Sequence, residues 1–340
     1  MTSGVDNGTG PPAELEFSVI VPCFDAESTI RETLDSLVGL RPPAKEIIVV
    51  DDHSTDASAE LCDSYPVHLI RQMEHRGVAA ARNRGASVAS GNVLLFVDAD
   101  IVVPSGLVAA LAAAHGDRPD SAGFSVVIDP DFHRGGFFSD YLNRRMYNGF
   151  THLRSGVTTL CTSCASVLKD AFDRVGGFDE AGTRAVNDEA TLGWRLAEFG
   201  LRTDVLENIQ VRHLKEMSLG SWCRKFLHEG RQWVLLVSRH RRRRAPSAKL
   251  TLQVRRPLNV VLMAVTAVQV ASAPWLGSAV LLPLGSMAVC FVILNSDYLA
   301  WMARGRGLFW SLAALLMVIL EAALHLVGLA SGVVAEVLPG

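Results

Sequence analysis

Asn92-Val-Leu-Leu-Phe-Val-Asp-Ala-Asp-Ile-Val-Val103 decides how this chain is read. An unbroken apolar, β-rich run is the pattern of a buried strand in an α/β sheet. It ends in two carboxylates, Asp98 and Asp100, separated only by Ala99. Ligands in such sheets bind beyond the carboxyl ends of the strands. Paired acids at that edge are placed to bridge a divalent cation to a phosphate. A strand followed by an Asp-containing turn has the same local pattern, so the surrounding chain must decide.

Upstream, Phe17-Ser-Val-Ile-Val-Pro-Cys-Phe24 reads as a first strand that Pro22 brings to its carboxyl end, because proline cannot donate within a central strand. A helix follows from Asp25, with Ile30, Leu34 and Leu37 at helical spacing, until Pro42-Pro43 breaks it. Glu46 to Val50 is the second strand, running directly into Asp51-Asp-His-Ser-Thr-Asp56. Ser54 or Asp56 can cap the next helix, but three carboxylates in six residues exceed what a cap needs. Asp51, Asp52 and Asp56 suit a uracil-type base and a ribose, with one acid left near a cation. Val67 to Ile70 reads as a third strand, and Glu74 to Gly85 as a glycine-opened helix carrying Arg82. Arg82 either faces a diphosphate or is an ordinary solvated arginine. A further helix begins near Pro104. The alternation of strands and helices is that of a doubly wound, nucleotide-binding half. With no Gly-X-Gly-X-X-Gly and no Walker lysine, it is neither a dinucleotide nor a P-loop enzyme.

Downstream, residues 121–128 read as a strand, Phe137 to Phe150 as a helix over the site, and residues 158–167 as partly β-like. Gly176 to Glu180 is a turn. Asn187-Asp-Glu189 opens an amphipathic helix. Asp188 and Glu189 either complement the helix dipole or supply a general base to the cleft. An extended segment from Val205 ends at His213, a residue that is more often structural than functional when alone. Leu219, Trp222, Phe226, Trp233 and Val237 fall at helical spacing with Arg224, Lys225 and Arg231 on other faces, the pattern of a helix lying on a membrane surface.

Beyond Pro257 the chain is almost wholly apolar, with spans at 258–273, 275–295 and 308–332. A helix needs about 20 apolar residues to cross a bilayer. Pro274 and Gly277 separate the first two spans, while Asp297, Arg304 and Arg306 fall between the second and third. The arginines at 239 and 241–244, with Arg304 and Arg306, place those segments in the cytoplasm by the positive-inside rule. Glu321 and His325, four apart in the last span, are either functional or paired with each other.

The 340 residues are 49% hydrophobic and 20% charged, with a net charge of −3, which gives no overall basis for a nucleic-acid partner. Cys161-Thr-Ser-Cys164 has half-zinc spacing without a second pair, so packing cysteines are expected. Residues 1–14 lack a basic and an apolar region and read as a disordered lead, not a signal peptide.

Taken in order, Ser18 to Asp25, Ile48 to Asp56, Gly77 to Gly85, Asp98-Ala-Asp100, Gly176 to Glu180 and Asn187-Asp-Glu189 resemble the family 2 glycosyltransferases. The resemblance covers residues 17–215. It implies a GT-A-type nucleotide-sugar-binding domain, a doubly wound mixed sheet over 15–217. An amphipathic interfacial helix and Arg-rich linker would follow at 218–256, then a membrane region at 257–334 with three spans. It also implies inverting transfer from a UDP- or GDP-sugar with Mg²⁺ or Mn²⁺. Pro22, Asp25, Asp51, Asp52, Arg82 and Asp98 would bind the nucleotide sugar. Asp98, Asp100 and His213 would serve the metal. Many relatives read Glu-Asp where this chain reads Asp188-Glu189, so either acid can be the base. Processive synthases carry Gln-X-X-Arg-Trp; here only Arg231-Gln-Trp233 occurs, on the acceptor side, so a single transfer is expected.

The expected function is a membrane-anchored transferase acting on a lipid, lipid-linked or envelope glycan acceptor at the cytoplasmic face of the plasma membrane. The alternative is a non-catalytic membrane scaffold that keeps the fold, against which the intact acids weigh. A nucleotidyltransferase lacks its phosphate loop here, and three spans with few polar groups make a poor transporter.

Overall fold

The stretch ending in Asp98 and Asp100 forms β4 (Val93–Val97), and all five of its residues are buried. Val93, Leu95 and Val97 enter one apolar core while Leu94 and Phe96 enter another, which is why the run shows no polar alternation. β1 (Phe17–Cys23) and β2 (Glu46–Asp51) divide the same way, with Val19 and Val49 on the first side and Ile20 and Ile48 on the second. The computed structural model describes residues 14–132, 134–151, 160–180, 188–242, 255–277 and 281–337. The expected N-terminal lead, apart from Glu14, and the arginines at 243 and 244 lie outside the described residues.

With β3 (His68–Arg71), β5 (Ile101–Val102), β6 (Ser121–Ile128), β7 (Cys164–Leu168) and β8 (Arg202–His213), these strands form one sheet in the order β3-β2-β1-β4-β7-β6-β8-β5. The first four neighbours are parallel, β7 opposes β4 and β6, and β5 opposes β8. This is the mixed, doubly wound sheet expected. Central β1 tolerates Pro22 because its pairing with β4 stops at Ile20, leaving Pro22 beside Val50 of β2. α1 (Ile30–Val38), α2 (Ser58–Cys62) and α4 (Leu107–Asp117) cover one face. α3 (Val78–Val88), α6 (Lys169–Val175) and α7 (Asp188–Glu198) cover the other. α3 approaches β1 so closely at Gly85 that a Cβ there would lie 2.4 Å from Ile20 Cγ2. β5 and α6 were not expected from the sequence; both are too short to show a period.

A third core joins α5 (Phe137–Thr151), α8 (Leu219–Arg242), α11 (Ser296–Arg306) and α12 (Leu308–Val337) through Tyr141, Trp222, Phe226, Tyr298, Met302 and Met317. The apolar stripe of α8, expected to lie on a membrane surface, therefore packs at Trp222 and Phe226 against protein. α8 and α12 meet at two glycines. A Cβ on Gly328 would lie 2.3 Å from the Leu227 carbonyl, and one on Gly230 would lie 2.5 Å from that of His325. Small residues let apolar helices approach this closely.

α9 (Arg255–Leu276) continues through Pro274, and α10 (Leu281–Leu294) follows. Among the described residues two helices, Pro257–Trp275 and Leu308–Val334, are long and apolar enough to cross a membrane. A third span requires counting Pro283–Leu294 and Ser296–Arg306, bent by 64°, as one. Asp297, Arg304 and Arg306 thus belong to a helix, α11, where the sequence pattern suggested a loop. Asn295 and Asn259, both buried, exchange reciprocal amide hydrogen bonds of 3.0 and 3.2 Å at this bend.

His325 Nδ1 lies 2.9 Å from the Glu321 backbone carbonyl one helical turn back, and both side chains reach other elements. Glu321 accepts two hydrogen bonds from the Arg145 guanidinium of α5, that from Nε at 2.5 Å, and one from the Tyr141 hydroxyl at 3.3 Å. His325 Nε2 lies 3.6 Å from Glu229 of α8. The sequence could not show these partners, which lie far along the chain.

Candidate active site

The carboxyl ends of β1, β2 and β4 open into a cleft of about 740 Å³. Pro22, Asp25, Asp52, Arg82, Asp98 and Asp100 all line it, so six of the expected residues converge. Two connections leave their strands in the left-handed region, at Asp25 (φ 45°) and His53 (φ 66°), a conformation that Asx and His side chains tolerate better than most. The two loops are laced together. Asp25 Oδ1 accepts from the Thr55 amide at 2.8 Å, and its own amide donates to Ser54 Oγ at 3.1 Å. Asp56 accepts the Glu27 and Ser58 amides, each at 3.0 Å, so its role is to tie the loops and start α2.

Asp52 is buried and heavily used. Its carboxylate accepts the amides of Arg76 (2.8 Å) and Gly77 (2.7 Å) and the Gln72 side chain (3.0 Å), with His75 Nδ1 at 3.0 Å. It therefore shapes the turn into α3, which Gly77 enters at a φ of 89°. His75 in turn stacks against Phe24, ring centroids 4.2 Å apart, at the cleft wall. Asp51 does not line the cleft: it is buried at the end of β2, with Oδ2 3.4 Å from the Ser54 amide. Arg82 is not a solvated arginine. It is 3% exposed, donates to Asp98 Oδ1 at 2.6 Å, and lies over the Phe178 ring.

Asp100 and His213 come together because the short β5 pairs with the end of β8, Ile101 opposite His213. His213 Nε2 is 3.5 Å from Asp100 Oδ2, and Nδ1 is 2.9 Å from Asn143 Oδ1 of α5. Burial works to raise the Asp100 pKa, but the His213 hydrogen bond and charge, with the Lys215 charge, hold it below the usual carboxylate value. Asp100 lines the cleft, and the buried His213 imidazole stands beside it; a carboxylate oxygen and an imidazole nitrogen this close suit a Mg²⁺- or Mn²⁺-class cation. Among the described residues no three His, Cys, Asp or Glu side chains form a cage, so such a cation would need ligand oxygens as well. Cys161 and Cys164 are buried thiols, as packing cysteines should be.

Asp188 and Glu189 begin α7; their side chains lie outside the described residues, as does that of Trp233. Arg231 and Gln232 sit on α8 and do not line the cleft. The sequence reading missed His75, Arg134 and Lys215, which do line it, and Asn143 behind His213. Lys215 had a signal, two residues beyond His213; Asn143 had none.

Residues 18–176 match the family model for glycosyl transferase family 2. The chain is similar to the glycosyltransferase GlyA of Streptococcus pneumoniae, 40% identical over 89 residues, covering 25% of this chain and 13% of that protein. It is also similar to a dolichol-phosphate mannosyltransferase of Pyrococcus furiosus, 26% identical over 205 residues, 58% of this chain and 49% of that one. The chain spans between 13% and 49% of the length of these and three further curated relatives. A mannosyltransferase of Pyrobaculum calidifontis, solved with GDP-Man and Mn²⁺, superposes with a TM-score of 0.60 at 18% identity, covering 95% of this chain and 88% of that one. Residues 18–176 thus match glycosyl transferase family 2, and the chain has the GT-A fold of that mannosyltransferase, followed by apolar helices.

Proposed function

We propose that the chain is a membrane-anchored, metal-dependent, inverting transferase that moves one sugar from a nucleoside-diphosphate sugar to a lipid or lipid-linked acceptor. The observation that carries this reading is Asp100, with His213 3.5 Å behind it, in a cleft lined also by Asp25, Asp52, Arg82 and Asp98. The Mn²⁺ and GDP-Man bound to the Pyrobaculum mannosyltransferase support a donor and cation of these classes. The name of the Pyrococcus relative supports a lipid-phosphate acceptor.

In this reading Asp25 and Asp52 border the base and ribose, Asp52 chiefly by holding the turn beneath them. Asp100 and His213 hold the cation. When bound, that cation neutralises the charge developing on the departing diphosphate. Arg82 fixes Asp98 at the cleft floor. Glu189 or Asp188, in the first turn of α7, takes the proton of the acceptor hydroxyl as it attacks from the opposite face. α9, α12 and the bent α10–α11 pair anchor the cleft at the bilayer. Arg304 and Arg306 on α11, with the Arg306–Asp140 bond of 3.1 Å to α5, put the cationic end of that helix beside the catalytic domain, which supports a cytoplasmic site.

The test is nucleoside-diphosphate release from a panel of nucleotide sugars by membranes containing wild type, Asp100→Ala or Glu189→Gln. Turnover of one donor should fall on the order of 100-fold with Asp100→Ala, as loss of several kcal/mol of charge stabilisation requires, and vanish with EDTA. Survival of turnover in Glu189→Gln assigns the base to Asp188. Failure to turn over any donor with lipid extract supplied would favour a scaffold.

A further inference from the structure

His213 can offer the Nε2 lone pair to a cation beside Asp100 only if its ring is held in one orientation and its other nitrogen carries the proton. Both conditions are met from outside the cleft. Asn143 of α5 is 1% exposed, and its Nδ2 donates to the Phe132 carbonyl at 3.0 Å. A carbonyl can only accept, so that bond commits the amide's NH₂ to Phe132 and turns Oδ1 toward the imidazole. Oδ1 can likewise only accept, so the His213 Nδ1 facing it at 2.9 Å must be the N–H. The remaining nitrogen, Nε2, is then the one directed at Asp100.

We infer that Asn143 is a positioning residue that fixes the tautomer and ring angle of His213 for ligation through Nε2. The inference rests on the reading of Asp100 and His213 as the cation's protein ligands. Outer partners of ligating histidines act in this way, and their loss weakens metal binding by about 10- to 100-fold. The amide does here what a carboxylate or a backbone carbonyl does for other ligating histidines. α5 packs over the end of β8 where His213 lies, and the position shows no motif, because the Phe132 contact lies 11 residues away and the His213 contact 70.

The experiment measures Mn²⁺ affinity of the detergent-purified full chain with saturating UDP, and separately GDP, by electron spin resonance. ¹⁵N-histidine labelling reads nitrogen coupling to the metal. Wild type should bind Mn²⁺ with a histidine coupling that His213→Ala removes. Asn143→Leu should weaken binding about 10- to 100-fold and diminish the coupling. Asn143→Asp, which keeps an acceptor for Nδ1–H, should bind at least as tightly as wild type. Asn143→Ser, smaller and too short to reach the ring, should follow Asn143→Leu and serves if the leucine variant does not fold. Wild-type affinity and coupling in both the leucine and serine variants would overturn the role of Asn143 while leaving the metal site intact. Weakening by aspartate as severe as by leucine would also overturn it, since a merely structural asparagine predicts that result. A wild type that binds Mn²⁺ without histidine coupling would remove His213 as a ligand and the inference with it, whereas the donor-turnover assay tests the transferase reading independently.

Discussion

Two polar regions of this protein make opposite use of their charges. At the strand ends, Asp25, Asp98 and Asp100 face an open cleft and are held by short loops and by Arg82 and His213. At the junction with the apolar helices, Glu321, Arg145, Asp140 and Arg306 satisfy one another between α5, α11 and α12. Charges in the first region are left accessible for a ligand. Those in the second join the α/β domain to the apolar helices, and burial makes each of them costly to leave alone. The difference predicts that a change at the cleft alters turnover with little effect on stability, and that a change at the junction does the reverse.

The sharpest break of that contrast is Glu321→Ala. It leaves the Arg145 guanidinium buried without its carboxylate, whose charge holds the Arg145 pKa above the usual arginine value against the effect of burial. Removing one partner of a buried pair costs about 3–5 kcal/mol. Unfolding in detergent should register this as a loss of the junction, and the double variant Glu321→Leu with Arg145→Leu should recover much of it. A single variant as stable as wild type would mean that water or lipid reaches this pair.

A second measurement separates the regions by pH. His115 of α4 is buried beside Phe124, with Nε2 3.0 Å from Ser166 Oγ, and burial pushes its pKa down to about 4. Its unfolded value is about 6.5. Below pH 6.5 the unfolded chain takes up a proton that folded His115 refuses, so stability is full above that pH and declines as pH falls toward 4. The slope is about 1.4 kcal/mol per unit, some ~3 kcal/mol over the window. His115→Leu should flatten this part of the stability–pH curve, whatever its effect on the baseline. An unchanged slope would place the acid sensitivity at the junction instead.

The same contrast governs what the sequence revealed. The cleft was legible because its residues come from motifs whose spacing is local: β4 ends just before Asp98, β2 ends just before Asp52, and Gly77 opens α3, which carries Arg82. Burial of β1, β2 and β4 between two cores explains their apolar runs, whereas the mixed sheet was expected from the family resemblance. The junction was not legible. Glu321 meets Arg145 across 176 residues and Asn143 meets His213 across 70, and single-chain periodicity carries no record of such pairings. The stripe of α8 was seen, but whether lipid or protein covers it depends on α12, which touches it through Gly230 and Gly328. Asp51 misled for a similar reason: it is a charged residue next to the site, but it is buried outside the cleft. Arg82 had two readings in the sequence, and its place in the cleft, tied to Asp98, shows only in the fold.

The smallest effect tests how far the second kind of polar contact extends into the apolar helices. Asn259 of α9 and Asn295 at the α10–α11 bend are buried and bonded only through uncharged amides, with Asn295 also donating to the Phe291 carbonyl at 2.8 Å. In a bilayer such contacts contribute on the order of 1 kcal/mol, because the separated helices find other partners. Asn259→Leu should therefore lower stability by about that much and leave donor turnover unchanged. If it instead abolished turnover, the bend at Asn295 would be part of the acceptor's path to the cleft, and the division between a ligand-facing region and an anchoring region would fail at α10–α11. A change of stability within measurement error would leave the bend to the packing of Tyr298 and Met302 in the third core, with the amide pair serving only to satisfy itself.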